Sequence, residues 1–456
     1  MTPFVDAALG SEHRFDLCIV SVSSEEGAGW WRRRLAATAE QLVGGPTRVV
    51  VVVEAWEGGA GNALGTLHAV ERADEQLADD GLSVASLLQE GARVGLWHTA
   101  GRGQRLYPLV LSHRRDKSRT LVPGVVRVDG MQRAMRLLEA VLRQCTPLAR
   151  PGHLGVFWGD QLALPTEVPS WPATPLALLG RPLQARSKED FRAQGLSAYG
   201  LLLHPVGAPG AVQLEKLSAE RFVAALEQLG PLQAAYASLG SFSLHADLLA
   251  SLTQVHAAEL ASRRGRLDTD PHWWMPLTVP VDFAGLAVDE AQRARLLAAG
   301  LGSTVLGVCS LDVDTAWLDF GTVPAWFASC RAVLTNASLR ALLSCPEPDE
   351  RGVVIASETD GKVVGSVLME ARGRHLCAED GVVAGCYDHQ LRVQGGLAYG
   401  LLASGATVST GEVVAGDGRG GAVRSDVSHD PKSAWEQSLR AGQPSWAELE
   451  RRAREG

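Results

Sequence analysis

Four short, almost wholly apolar runs, each closing on a glycine-bearing or acidic turn or on a helix, constrain this chain more than any other feature. They occupy residues 17–22, 48–53, 94–97 and 154–158. Helix-like stretches lie between them: residues 25–42, a segment leaving the glycine-rich turn 57–66 through His68 and Ala69, and residues 131–148. A run apolar at nearly every position is buried on both faces, and strands separated by helices pair in parallel, so an α/β sheet covered on both sides is expected. In such sheets ligands gather beyond the carboxyl ends of the strands. Three turns fall there: 57–66, 98–108 and 159–161.

The pattern changes after residue 345. Short β pieces at 353–355, 363–368 and 381–384, punctuated by glycine and acidic turns, continue to Val414, and helical periodicity nearly vanishes. They predict a β-solenoid or sandwich whose repeat is too irregular to fix a period. Gly416-Asp417-Gly418-Arg419-Gly420-Gly421 reads as a flexible stretch, and residues 445–454 as a terminal helix with Ser445 as its cap. With 456 residues the chain divides into two domains, placed at 1–330 and 331–456.

Composition excludes some function classes. A net charge of −8 argues against a general nucleic-acid binder. Seven scattered cysteines without a Cys-x-x-Cys pair fit a reducing cytoplasm, as small buried hydrophobes rather than a disulfide or zinc framework. Met1-Thr2-Pro3-Phe4-Val5-Asp6 opens without a basic stretch leading into an apolar one, so no secretory signal is expected. No apolar run approaches the ~20 residues of a membrane span. A cytoplasmic protein without membrane or nucleic-acid partners is the expectation.

Four separated motifs carry chemistry. The first is Trp97-His98-Thr99-Ala100-Gly101-Arg102-Gly103-Gln104-Arg105-Leu106-Tyr107-Pro108, followed by Asp116-Lys117. Backbone at Ala100, Gly101 and Gly103 can approach an anion closely, and Arg105 and Lys117 can close over phosphates. It is neither a P-loop, lacking Gly-Lys-Ser/Thr, nor a dinucleotide fingerprint, lacking the third glycine. The second is Trp158-Gly159-Asp160-Gln161, an acid at a strand end where one metal ligand would sit. The third is Val212-Gln213-Leu214-Glu215-Lys216, and the fourth Ala316-Trp317-Leu318-Asp319-Phe320-Gly321-Thr322.

Singly, each motif has a structural alternative. Gly101 and Gly103 could merely close a turn, Asp160 and Asp319 could be helix N-caps, and Glu215-Lys216 a solvated pair on an edge strand. Gly65-Thr66 could face a nucleobase or start a helix. His98 could donate to a ligand or be a satisfied structural histidine, and Trp273-Trp274 could stack on a ligand or anchor a loop in the core. His204, His245, His375 and His389 show no metal-ligand spacing.

Taken in order, the four motifs resemble the sugar-1-phosphate nucleotidyltransferases, which carry a G-x-G-x-R loop with a downstream lysine, a Gly-Asp metal site, a Glu-Lys sugar site and a second metal aspartate in a W-x-D-x-G-T-like segment. The resemblance spans roughly residues 94–325. Residues 15–35, the turn at 58–66 and His98 resemble more specifically the fucose-1-phosphate guanylyltransferase branch, including the pyrophosphorylase half of bifunctional fucokinases. The chain departs from that pattern where Arg102 interrupts the double glycine, where Ser118-Arg119 follows Lys117, and where Leu217 follows Glu215-Lys216.

The resemblance implies a Rossmann-like, GT-A type nucleotidyltransferase domain followed by a β-rich, β-helical C-terminal domain. It implies an NTP and a sugar 1-phosphate as substrates, GTP and a fucose-like sugar first among them, with another nucleotide, sugar or cyclitol phosphate as the alternative. Mg²⁺ would be held by Asp160 and Asp319, phosphate charge stabilised by Arg105 and Lys117, and the nucleotide met by Gly65, Thr66, His98, Ala100, Gly101 and Gly103. Lys216 would bind the sugar phosphate and Glu215 the ring hydroxyls. Self-association through the C-terminal domain stays open, as does the rival reading of a non-catalytic nucleotide-sugar binding or regulatory protein. That rival would be expected to lose one of Asp160, Asp319 or Arg105, all of which are present.

Overall fold

The computed structural model describes every residue except Met1, Arg102, 185–186, 282, 284, 388–389, 403–404, 429–430, 432–434, 437–443 and 455–456. Arg102 and His389 therefore lie outside the described residues.

The apolar runs form strands Leu17–Val22, Arg48–Val53, Val94–His98 and His153–Trp158, all mutually parallel. They sit side by side in a nine-stranded sheet in the order 48–53, 17–22, 94–98, 153–158. Alternation decides what each face meets. Leu17, Ile19, Val50, Val52, Val94, Leu96, Leu154 and Val156 share one core with the helix Gly61–Leu77. Cys18, Val20, Val51, Trp97 and Phe157 share the other with the helix Glu25–Val43, whose Ala28, Trp31, Leu35, Ala39 and Leu42 recur at helical spacing. Ser24 caps that helix through the Gly27 N–H, and Gly44 ends it in the left-handed conformation. The result is a Rossmann-like α/β layer.

Beyond the 153–158 strand the sheet turns antiparallel. The long strand Leu232–His245 pairs with His153–Trp158, Leu176–Pro182 and Gly200–Pro205, with a register shift between Ser238 and Phe242 that lets it serve all three. Val212–Glu215 borders Gly200–Pro205, and Leu306–Ser310 runs parallel to Leu176–Pro182.

Two expectations are corrected. Residues 131–148 are not one helix: Met131–Arg136 is a strand antiparallel to Leu121–Val128, and helix begins only at Leu137–Cys145. Asp129 (φ 50°) and Gly130 (φ 76°) supply the two left-handed residues of a hairpin turn, a signal that outranks the helical spacing around it. Gly416–Gly421 is likewise an ordered turn joining the antiparallel strands Glu412–Gly416 and Ala422–Asp426, with Asp417 Oδ1 accepting from the N–H of Arg419 (2.8 Å) and Gly421 (2.9 Å).

From Gly352 the chain winds into a coil of parallel ladders. Strands Gly352–Ile355, Ser366–Met369, Val382–Ala384, Leu397–Tyr399 and Glu412–Gly416 stack on one face, and Val363–Val364, Cys377–Glu379, Arg392–Gln394 and Thr407–Val408 on another. Residues Val363, Leu368, Ala378, Val383, Val393, Ala398 and Val414 fill its interior. The alternate residues Val353, Val367, Val382, Leu397 and Val413 join the core of the α/β domain, so the first face lies against this chain's own α/β layer. Tyr399 fastens the junction: its hydroxyl accepts from the Leu121 N–H (2.9 Å) and pairs with His113 Nε2 (2.6 Å). All seven cysteines are free, five of them buried. Among the described residues no helix is long and apolar enough to cross a membrane.

Candidate active site

The carboxyl end of Val94–His98 opens into the glycine loop. Thr99 fixes its start, both its N–H (3.0 Å) and its hydroxyl (2.7 Å) donating to the Ser21 carbonyl of the neighbouring strand. Ala100 is half-buried and Gly101 exposed; Gly101 (φ 141°) and Gly103 (φ 58°) hold backbone angles that a side chain disfavours. Gly103 also lies against the stem of Lys117, 3.3 Å from its Cβ as measured from where a Cβ on Gly103 would stand. Lys117 starts a short turn capped by Asp116, and its Nζ donates to Asp160 Oδ2 at 2.8 Å.

Asp160 and Asp319 come together through an antiparallel pair of strands. Gln161–Leu164 pairs with Ala316–Asp319, Gln161 opposite Asp319, and the Phe320 N–H donates to the Asp160 carbonyl (2.9 Å). Gly321 shows how tightly the groups converge. A Cβ there would stand 2.9 Å from Asp319 Oδ1, 3.2 Å from Arg105 Nη2 and 3.5 Å from Asp160 Oδ2. One methyl-sized cradle thus borders two carboxylates and a guanidinium. Neither aspartate caps a helix; Thr322 caps Val323–Arg331.

The electrostatics differ between the two acids. Burial pushes the Asp160 carboxyl up, but the Lys117 ammonium, through charge and hydrogen bond, and then Arg105 together outweigh it, so its pKa falls below the usual aspartate value. Asp319 is raised, by burial first and by repulsion from Asp160, despite the Gly321 N–H (2.6 Å) that it accepts. Converging hard-oxygen donors of this kind suit a divalent cation that fills its remaining positions with phosphate oxygens and water. Among the described residues no group of three or more His, Cys, Asp or Glu side chains is placed to hold a metal by itself.

A second cluster lies at Glu215. Its strand pairs with Gly200–Pro205, Glu215 opposite Gly200. A Cβ on Gly200 would stand 2.6 Å from Gln213 Nε2 and 2.8 Å from Glu215 Oε2, so only glycine leaves room for both side chains. Lys216, at φ 46°, turns its ammonium back to Glu215 Oε1 (3.1 Å) while its side chain stays 68 % exposed. Gln213 is fully buried; its Nε2 donates to Asp270 Oδ1 (3.0 Å), and its Oε1 has no partner among the described residues. Leaving such an oxygen unmet costs about 1–3 kcal/mol. The Asp270 carboxyl is raised to about 7 by burial and by the Glu215 charge. Tyr199, next to Gly200, packs its ring 5.0 Å from that of Trp317, two residues before Asp319, and so joins this cluster to the aspartate pair.

A third group lies under the glycine loop. Gly65 and Thr66 sit inside the helix Gly61–Leu77 rather than at its start. Thr66 is fully buried, its hydroxyl donating to the Asn62 carbonyl (2.8 Å) and pairing with His98 Nε2 (2.9 Å). His98 is buried, stacked on Trp158 at 5.5 Å, and held neutral by burial and by nearby Lys117, its pKa lowered to about 4. Glu54, at the end of the 48–53 strand, accepts the Ala60 N–H through Oε1 (3.2 Å) and turns Oε2 toward Gly65. Trp273 and Trp274 are fully buried core residues, Trp273 donating to His256 Nε2 (2.9 Å).

The sequence motifs give no role to Glu54, Gln213, Asp270 or Tyr199. Gln213 carried a usable signal, a polar residue flanked by Val212 and Leu214 in a strand buried on both sides. Asp270, before Pro271, reads as an ordinary helix start.

No family model matches the chain, and no curated protein sequence does. Among solved structures it is similar to a putative glucose-1-phosphate thymidylyltransferase from Bacillus anthracis, crystallised in complex with a sucrose. That match has 12% identity over 55% of this chain and 99% of that one, with a TM-score of 0.27. It is also similar to mannose-6-phosphate isomerase from Helicobacter pylori, at 14% identity and a TM-score of 0.19 over 37% of this chain. This chain spans less than two thirds of the isomerase, 64% of its length.

Proposed function

We propose that this chain is a sugar-1-phosphate nucleotidyltransferase, converting an NTP and a sugar 1-phosphate into an NDP-sugar and pyrophosphate. The observation that carries the reading is the convergence of Arg105, Asp160 and Asp319 on Gly321, with Lys117 bonded to Asp160. In this reaction an oxygen of the sugar phosphate attacks the α-phosphorus while the bond to the departing pyrophosphate breaks. The attacking oxygen is already an anion, so no general base is required and catalysis reduces to alignment and charge neutralisation.

Asp160 and Asp319 would hold Mg²⁺, and the Gly321 cradle between them fits that role. When bound, the ion supplies positive charge to the phosphates. Arg105 stabilises charge as it moves onto pyrophosphate, and Lys117, released from Asp160, shares that load. Ala100, Gly101 and Gly103 offer backbone to the triphosphate. Lys216 meets the sugar phosphate at the rim, with Glu215 accepting from ring hydroxyls.

On the nucleobase side, Gly65 lines the position between Glu54 and His98, while Thr66 and His98 bond each other and set its shape. The Glu54 carboxylate can accept from the N–H donors that every common nucleobase presents, and GTP is the first nucleotide to try on the resemblance to the fucose-1-phosphate guanylyltransferase branch. A fucose-like sugar 1-phosphate is the first acceptor to try, and uridylyl transfer or a cyclitol phosphate the alternative. Pyrophosphate release measured across the four common NTPs and a panel of sugar 1-phosphates tests the reading; no release with any pair overturns it.

A further inference from the structure

The Glu215 cluster holds more recognition chemistry than a glutamate and a lysine require. Gln213 is fully buried on a strand between Val212 and Leu214, yet its amide is turned to the side where Glu215 and Asp270 lie. Gly200 is left without a side chain where Gln213 and Glu215 crowd, a Cβ there standing 2.6 Å from Gln213 Nε2 and 2.8 Å from Glu215 Oε2. The segment bearing Asp270 is anchored from the other side. Leu267 N–H donates to the Ala60 carbonyl (3.0 Å), Asn62 N–H to Asp268 Oδ1 (3.1 Å), and Thr269 N–H to Asn62 Oδ1 (2.7 Å). Asp270 is thus fixed to both the helix beside the glycine loop and the strand of Glu215, and the residue as a whole stays half-buried.

We propose that Asp270, positioned by Gln213 beside Glu215, is a second carboxyl of the sugar-phosphate subsite and reads a ring hydroxyl that Glu215 does not. This rests on the proposed function for the identity of the ligand. Its chemistry comes from the cluster itself. Glu215 and Asp270 are both acceptors, held beside the buried Gln213 amide, and the cation bonded to Glu215, Lys216, is at the exposed rim. Two neighbouring carboxyls reject a second phosphate and accept from O–H donors, so they fit a polyhydroxylated ring whose single phosphate faces outward to Lys216. The two clustered carboxyls divide the work: Glu215 is engaged by Lys216, whereas Asp270 is engaged only by an uncharged amide among its described hydrogen bonds and keeps an oxygen for the ligand.

The test is an interaction cycle between one side chain and one hydroxyl. Asp270→Asn keeps an oxygen to accept from Gln213 Nε2 and should preserve the fold, checked by its thermal melt. Binding of glucose, mannose and fucose 1-phosphates, and of their singly deoxygenated analogues, is measured by calorimetry on the full-length wild type and variant; turnover is followed separately. With the best-bound sugar, removing one particular hydroxyl should weaken wild-type binding at least ~10-fold and Asp270→Asn binding less than ~3-fold. Gln213→Met, which frees Asp270 from its positioning partner, should shrink the same penalty without removing phosphate binding. An equal penalty in wild type and Asp270→Asn for every hydroxyl overturns the assignment, even if the enzyme turns over. The coupling without pyrophosphate release keeps the assignment and overturns the proposed reaction; no binding of any sugar phosphate overturns both.

Discussion

The two ends of the candidate site are built from the same residue types to opposite electrostatic ends. Around Gly321, each carboxylate has a positive neighbour: Lys117 is bonded to Asp160, and Arg105 borders the cradle. Around Gly200, the Glu215 carboxylate and the Gln213 amide crowd together, that amide is bonded to Asp270, and the cation bonded to Glu215, Lys216, lies outward. The first end is a balanced set of charges ready to exchange partners with a polyanion and a cation. The second is a surplus of acceptors, which a neutral, hydroxyl-rich group satisfies. Under the proposed reaction the contrast would orient a substrate with its phosphates toward Gly321 and its ring toward Gly200.

The largest expected effect is at the first end. Asp160→Asn and Asp319→Asn should each lower kcat by at least ~10²-fold while the protein stays folded, because charge building at the α-phosphate loses its counter-ion. Near-normal turnover of either variant at saturating Mg²⁺ would erase the distinction between the two ends. Arg105→Ala comes next: kcat should fall more than nucleotide affinity, on the order of 10-fold or more, as its bonds strengthen in the transition state. Calorimetry that finds NTP binding abolished, with chemistry intact at high NTP, would reassign it to ground-state binding.

At the second end, Lys216→Ala and Glu215→Ala should raise KM for the sugar 1-phosphate roughly 10-fold and leave NTP affinity within a few-fold. Lost NTP binding with an unchanged sugar KM would reverse the polarity of the site.

The smallest effects are in the pH dependence of stability, where the two ends should move oppositely. Asp270, faced by Glu215, Lys216 and Asp268, has its pKa raised from 3.8 to about 7, so its contribution is full below 3.8 and is lost as pH rises toward 7. His98, next to Lys117 and lowered from 6.5 to about 4, contributes fully above 6.5 and is lost as pH falls toward 4. Melts of Asp270→Asn and His98→Gln should each flatten their own limb; a variant that keeps its limb unchanged contradicts the assigned cause.

How much of this was legible in the chain varied with the physics involved. Apolar runs bounded by turns gave the parallel sheet because burial on both faces leaves no other pattern. The coil's period was hidden by its corners. The position after each of the first four first-face strands takes a left-handed residue, yet Ala356, Glu370, Gly385 and Gly400 fill it in turn; Gly365, Asp380, Gly395 and Gly411 do so at another corner. A constant backbone demand met by varying side chains leaves no repeat to read. The aspartates at residues 160 and 319 were legible because each ends a strand, but their meeting at Gly321 depends on a two-stranded pairing between segments far apart in the chain. Asp270 stayed hidden for a related reason: its partners, Gln213 and the turn at Ala60, are brought to it only by the fold.

The central claim is that the Gly321 end handles a triphosphate and the Gly200 end a sugar phosphate in one reaction. The most direct measurement is pyrophosphate release by the full-length protein with Mg²⁺, each common NTP against each sugar 1-phosphate, with either substrate alone as control. The account predicts release only when both substrates are present, at stoichiometry with a new NDP-sugar, and at least ~10²-fold slower with Asp319→Asn. Release from NTP alone, or none with any pair, would contradict it.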